Sequence, residues 1–150
     1  MHSRTLIMTL SFVGAFLLGG SLVASAADTA TRVAAPVKNR LVIQVSDNDP
    51  KKWNLALNNA RNVQVDLGEE NVEIEIVAYG PGIGMLTKDS EVGARVDDAR
   101  AKGITVVACE NTMHAQKLTY ADMLPKVGYV PAGVTEIMKK QQQGWAYVRP

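Results

Sequence analysis

Apolar and polar residues alternate in blocks from residue 40 onward, and the blocks predict strands and helices in turn. A short β-branched run at 41–45 comes first, followed by the polar turn 46–50. Asp49 suits a helix N-cap and Pro50 suits the first helical position. Apolar residues then recur at helical spacing until Gly68, which favours a helix end. The first unit is therefore predicted to be a strand and an amphipathic helix.

The same alternation continues to the end of the chain. Further strands are predicted at 72–77, 104–109, 127–130 and 145–148, and further helices at 90–102, 112–117, 119–124 and from Pro131 to Gly144. Five strands interleaved with helices predict an α/β fold with a mostly parallel sheet and helices on both faces. The strand at 72–77 alternates apolar with charged residues, so it is predicted to lie at or near a sheet edge with one face in water.

The first residues have the pattern of an export signal. A positively charged start, Met1–Arg4, precedes an apolar stretch at 6–23, and small residues follow at 24–26. This pattern predicts a signal peptide over 1–27, cleaved after Ala26 or Ala27. A membrane anchor is the alternative, because about 18 apolar residues could just span a bilayer. We expect a periplasmic protein with a flexible leader at 28–39 and one domain at 40–150.

The charge balance argues against two classes of partner. Cleavage removes Arg4, so the 16 basic and 15 acidic residues of the chain become 15 and 15. A neutral protein lacks the excess positive charge that attracts nucleic acid or an anionic membrane surface. We therefore expect neither partner once the signal has been removed.

The most informative residue is Cys109, the single cysteine of the chain. It closes the apolar run 104–109 and is followed by the polar stretch 110–114. Ligands and chemistry collect outside the carboxyl ends of the strands in open α/β sheets. An exported chain with one cysteine has no internal disulfide, so its thiol is buried, paired with another chain or kept for chemistry.

Reactivity of Cys109 requires a depressed pKa. The following turn could direct the backbone N–H groups of Asn111, Thr112 and Met113 toward the sulfur, with the partial positive charge of a helix start. His114 is a candidate accessory group. The alternative is an inert cysteine that ends a buried strand.

Other candidate sites are weaker. Gly80 and Gly82 could offer bare backbone to an anion, although their loop lacks the lysine and hydroxyl residues of a phosphate-binding loop. Soft ligands could converge on Cu(I), but their spacing does not match a blue-copper pattern, and we predict no metal site and no cofactor. This candidate set is Met85, Cys109, Met113 and His114.

Three segments together resemble the DsrE/DsrF-like family, and especially its exported, stand-alone branch. They are the strand Arg40–Ser46 with the helix Trp53–Ala60, the step Ile76–Gly82, and the stretch Val107–Met113. The resemblance covers nearly the whole chain after the predicted signal. It implies a three-layer α/β/α sandwich with a five-stranded sheet, assembled as a homotrimer or homohexamer.

The resemblance also implies a function for Cys109, which matches the active cysteine of relatives that pass sulfur as a persulfide. The chain would then be a sulfur carrier or a sulfurtransferase-like protein, served by a donor or acceptor protein or a small sulfur compound. A non-catalytic oligomeric module that binds or senses a small molecule is the alternative from another class. Its apolar pocket would be lined by Met85, Met113, Met123 and Tyr120.

Overall fold

Five strands alternate with four α-helices in residues 39–150, the part of the chain that this computed structural model describes. The predicted signal peptide and the leader up to residue 38 lie outside the described residues. The elements are β1 Asn39–Val45, α1 Pro50–Leu67, β2 Val72–Ala78, α2 Gly93–Ala101, β3 Thr105–Cys109, α3 Glu110–Ala115, β4 Gly128–Val130, α4 Gly133–Gln142 and β5 Ala146–Val148. Short 3-10 segments occupy Glu69–Asn71, Gly80–Leu86 and Tyr120–Asp122.

Both ends of α1 follow from local sequence. The Asp49 side chain accepts a hydrogen bond of 2.8 Å from the Lys51 N–H, and Pro50 occupies the first turn. Gly68 adopts a φ of 89° at the other end, and its N–H donates to the Gln64 carbonyl. Capping at each end satisfies backbone groups that a helix leaves open. The predicted bounds of this helix are confirmed.

The strands form one sheet in the order β4-β3-β2-β1-β5, and every pairing in it is parallel. One face packs against α1 and α2 in the larger hydrophobic cluster, which includes Ile43, Ile76 and Val106. The opposite face carries a smaller cluster of Val42, Val77, Val107 and Ile137, the last of which belongs to α4. The sheet is therefore the middle of three layers, and the predicted α/β/α fold is confirmed.

The prediction that β2 lies at or near an edge is wrong, because β2 is the middle strand. Glu73 is exposed as expected, but Glu75 is only 5 % exposed. Its Oε2 accepts a hydrogen bond of 2.7 Å from Lys140 Nζ on α4. The charged residue that suggested a solvent-facing strand is thus covered by a helix that supplies its counter-ion. Among the described residues, no helix has the length and hydrophobicity needed to cross a bilayer.

Candidate functional site

Cys109 lies where β3 ends and α3 begins, and it serves as the N-cap residue of α3. Successive side chains of a strand point to opposite faces. Ala108 belongs to the larger cluster and Val107 to the smaller one, so Cys109 faces the α4 side of the sheet. The residue is 5 % exposed, and Val130 of β4 is its partner in register. The thiol is thus nearly covered at the carboxyl edge of the sheet.

Four polar hydrogens favour the anionic form of this sulfur. Burial alone would raise the pKa of the Cys109 thiol. The hydroxyl and the N–H of Thr112, with the N–H groups of Gly133 and Asn111, outweigh burial and hold the pKa below its ordinary value. The Cys109 side chain makes no capping hydrogen bond with the backbone of α3. Donors that act on the sulfur lower its pKa, because hydrogen bonds to a charged form favour that form.

The orientation of the Thr112 hydroxyl follows from a second contact. Its Oγ1 accepts a hydrogen bond of 2.9 Å from the Gly80 N–H. Because that bond occupies an oxygen lone pair, the hydroxyl proton remains available for the sulfur. Gly80 was predicted as bare backbone for an anion, and in the structure its N–H donates to Thr112.

The start of α4 supplies a donor that sequence reasoning missed, the N–H of Gly133. A β-carbon at this position would lie 2.9 Å from Tyr79 Cβ, so the helix start packs against Tyr79 more closely than a side chain would allow. The Asn111 N–H has the smallest effect of the four donors on the pKa of Cys109, and it donates to the Pro131 carbonyl at 3.1 Å, which ties the start of α3 to the segment before α4. A predicted parallel pairing of β4 with β3 could have identified Gly133, because this pairing places the residues after β4 beside Cys109.

Gly82 is required by a close approach of two backbone segments. A β-carbon there would lie 2.5 Å from the Val45 carbonyl oxygen. Its N–H donates to the Tyr79 carbonyl at 3.1 Å and is therefore occupied. The geometry explains this glycine by packing and gives no support to the anion-binding alternative.

Met113 and His114 do not join the sulfur site. Met113 is buried in the larger cluster together with Met85 and Met123, whereas Cys109 belongs to neither cluster. His114 is exposed. The structure therefore does not bring the proposed Cu(I) ligands together. Within residues 39–150 no three His, Cys, Asp or Glu side chains are grouped as metal ligands.

The apolar pocket of the non-catalytic alternative is not formed by the residues proposed for it. Its three methionines fill the core. Tyr120 is exposed, donates a hydrogen bond of 2.5 Å to the Glu110 carboxylate, and packs edge-on against Tyr129. Three of these four residues are therefore in the core and the fourth is on the surface, so they do not line a common pocket.

Comparison with known proteins identifies the family of this chain. The model of the DsrE/DsrF-like family matches residues 39–150, which is the whole described domain. The chain belongs to the DsrE/DsrF-like family. This family is related to sulfur relay. No protein with a curated description is significantly similar to the chain.

Several solved structures share the DsrE-like fold. A protein of unknown function from Methanobacterium thermoautotrophicum, MTH1491, is 37 % identical with a TM-score of 0.72, over 75 % of this chain and 100 % of that one. A conserved protein of unknown function from Bacteroides thetaiotaomicron, BT1422, is 15 % identical with a TM-score of 0.62, over 75 % and 95 %. The ychN protein of E. coli is 6 % identical with a TM-score of 0.59, over 75 % and 99 %, so these last two support the fold alone.

Proposed function

We propose that this protein carries sulfane sulfur as a persulfide on Cys109 and acts in the periplasm. The observation that carries the proposal is the set of donors from Thr112, Asn111 and Gly133 around a single thiol. These groups come from the starts of two helices at the carboxyl edge of the sheet, where the partial positive charge of helix starts favours an anion. The periplasmic location rests on the export signal predicted for residues 1–27.

The proposed step needs no oxidant and no cofactor. The Cys109 thiolate attacks the outer sulfur of a donor persulfide, R–S–SH. A bond forms between Cys109 Sγ and that sulfur, the S–S bond of the donor breaks, and the donor leaves as the thiolate R–S⁻. The product is Cys109–S–SH, and attack by an acceptor thiolate on its outer sulfur returns Cys109 as a thiolate. Mass spectrometry after incubation with polysulfide tests the first half, and the expected product carries one added sulfur atom on Cys109.

Replacement of Thr112 by valine is expected to raise the pKa of Cys109, because a hydrogen bond to the ionised sulfur is lost. Thr112→Ser is the matched control, since it keeps the hydroxyl and should keep the pKa close to that of the wild type. The measurement is the rate of thiol alkylation over a pH series. Equal pKa values in the valine variant and the wild type would show that this hydroxyl does not act on the sulfur.

We further propose that copies of the chain assemble into a homotrimer or homohexamer. An exposed apolar strip supports this proposal. Val134 and Met138 lie four residues apart on α4, so they share one face of the helix, and they are 60 % and 49 % exposed. Tyr147 on the neighbouring strand β5 is also exposed. Adjacent exposed apolar side chains on a soluble domain commonly mark an interface.

A double substitution of Val134 and Met138 by lysine is expected to shift the protein from a trimeric or hexameric mass toward the monomer in light scattering after gel filtration. Charged groups are strongly disfavoured at the core of an interface. Val65→Lys is the control, because Val65 is an exposed apolar residue on α1, on the other side of the sheet. A monomeric wild type, or equal dissociation of the control, would contradict the proposal.

A further inference from the structure

A cavity lies at the opposite end of the strands from Cys109. Its volume is about 370 Å³, and it opens beside the starts of β2 and β3. Thr105 lines it at the beginning of β3, four residues before Cys109, which corresponds to about 13 Å along a strand. The side chains used below are Glu73, Glu75, Lys102, Lys140 and Trp145, and all of them line the cavity.

Two buried polar atoms of this lining have no hydrogen-bond partner. They are Oε1 of Glu75 and Nε1 of Trp145, and Glu75 as a whole is 5 % exposed. Buried polar atoms in native proteins are nearly always paired, because each unpaired one costs about 1–3 kcal/mol. One of the two atoms is an acceptor and the other is a donor. Both are therefore suited to a ligand that offers the opposite groups.

Lys140 contacts both side chains, so Glu75 and Trp145 lie in the same part of the lining. Its ammonium lies 2.7 Å from the other carboxylate oxygen of Glu75 and 4.3 Å from the centroid of the Trp145 ring. Burial raises the pKa of Glu75, and Lys140 opposes that effect. A further donor on Oε1 would stabilise the charged carboxylate in the same way.

The charges of the lining indicate the class of ligand. Glu73 and Lys102 are exposed and bring opposite charges, while Glu75 is paired with Lys140. A lining with both signs of charge disfavours a ligand of large net charge. The described residues also contain no group of carboxylates placed to hold a metal ion. A small molecule with one positive and one negative group fits these conditions.

We propose that this cavity binds a small zwitterion of the α-amino-acid class, whose ammonium donates to Glu75 Oε1 and whose carboxylate accepts from the Trp145 indole N–H. The site is separate from Cys109 and does not depend on the proposed sulfur chemistry. Its ligand would be held between the middle strand of the sheet and the end of α4.

The indole N–H signals of the two tryptophans provide the test by nuclear magnetic resonance. Glycine and L-serine are the probes, with acetate and methylamine as singly charged controls. The Trp145 signal is expected to shift saturably with the zwitterions. Trp53 is an internal reference, because its Nε1 already donates to the Asp47 carbonyl at 2.7 Å. No saturable shift with either zwitterion, or equally tight binding of acetate or methylamine, would overturn the proposal.

Two variants separate a ligand site from a general structural effect. Glu75→Gln is expected to weaken zwitterion binding at least about tenfold, since a charge-assisted hydrogen bond is lost. Glu136→Gln is the matched control, because Glu136 lies 3.6 Å from Lys140 but does not line the cavity, and its affinity should change less than about twofold. Wild-type affinity in Glu75→Gln would reject the site. Cys109→Ser should bind the zwitterion normally even if the sulfur-carrier proposal fails.

Discussion

Substitution of Cys109 by serine is expected to abolish covalent sulfur uptake completely. The chain has one cysteine, so no second thiol can accept the sulfur or hide the loss. A serine hydroxyl does not form a stable anion near neutral pH, and it has no sulfur with which to form a persulfide. The measurement is the intact mass after incubation with polysulfide or thiosulfate, followed by reductant treatment to remove persulfide sulfur.

The controls for this experiment separate chemistry from folding. Serine is close to cysteine in size, so the variant should keep the circular dichroism of the wild type. A small free thiol, treated in parallel, shows whether the sulfur donor is active. An unmodified wild-type Cys109 beside a labelled control thiol would count against the carrier function, and so would equal reductant-sensitive uptake by the serine variant.

Replacement of Gly82 by alanine is expected to destabilise the fold by about 3 kcal/mol. The added β-carbon would lie 2.5 Å from the Val45 carbonyl oxygen and 2.7 Å from the Val45 carbonyl carbon. These atoms belong to the backbone at the end of β1, so rotation of a side chain cannot relieve the contact. Urea unfolding followed by circular dichroism measures the change in the free energy of unfolding.

Gly84→Ala is the matched control in the same 3-10 segment. Its nearest neighbour would be a ring carbon of Trp53 at 3.3 Å, a contact with a side chain rather than with the backbone. We expect a loss below about 1 kcal/mol for this variant. Equal stabilities of the two alanine variants would show that the backbone contact at Gly82 does not dominate.

Local sequence patterns predicted the strands and helices well. The wrong prediction was the edge position of β2, and a contact between residues distant in sequence explains it. Both ends of α1 depend on residues within or next to the helix, so capping preferences were sufficient to predict where it begins and ends. The burial of Glu75 on β2 involves Lys140 of α4, which lies 65 residues away in the chain. An alternating pattern cannot reveal that a later helix will cover its polar face and supply the counter-ion.

The candidate site was predictable in part for the same reason. Cys109, Asn111 and Thr112 are neighbours in sequence at a strand-to-helix step, and donors of Asn111 and Thr112 act on the Cys109 sulfur. Gly133 reaches the sulfur only because β4 pairs with β3 and α4 packs on Tyr79. His114 was included on proximity in sequence, but it is exposed and the structure gives it no contact with the thiol among the described interactions.

The pH dependence of alkylation of the wild-type thiol tests the central claim most directly. The single cysteine makes the signal unambiguous, and Cys109→Ser supplies the blank. The donors around the sulfur predict a midpoint below that of an ordinary cysteine in an unstructured peptide alkylated under the same conditions. A midpoint at or above that value would show that burial dominates, and Cys109 would then be a packing residue.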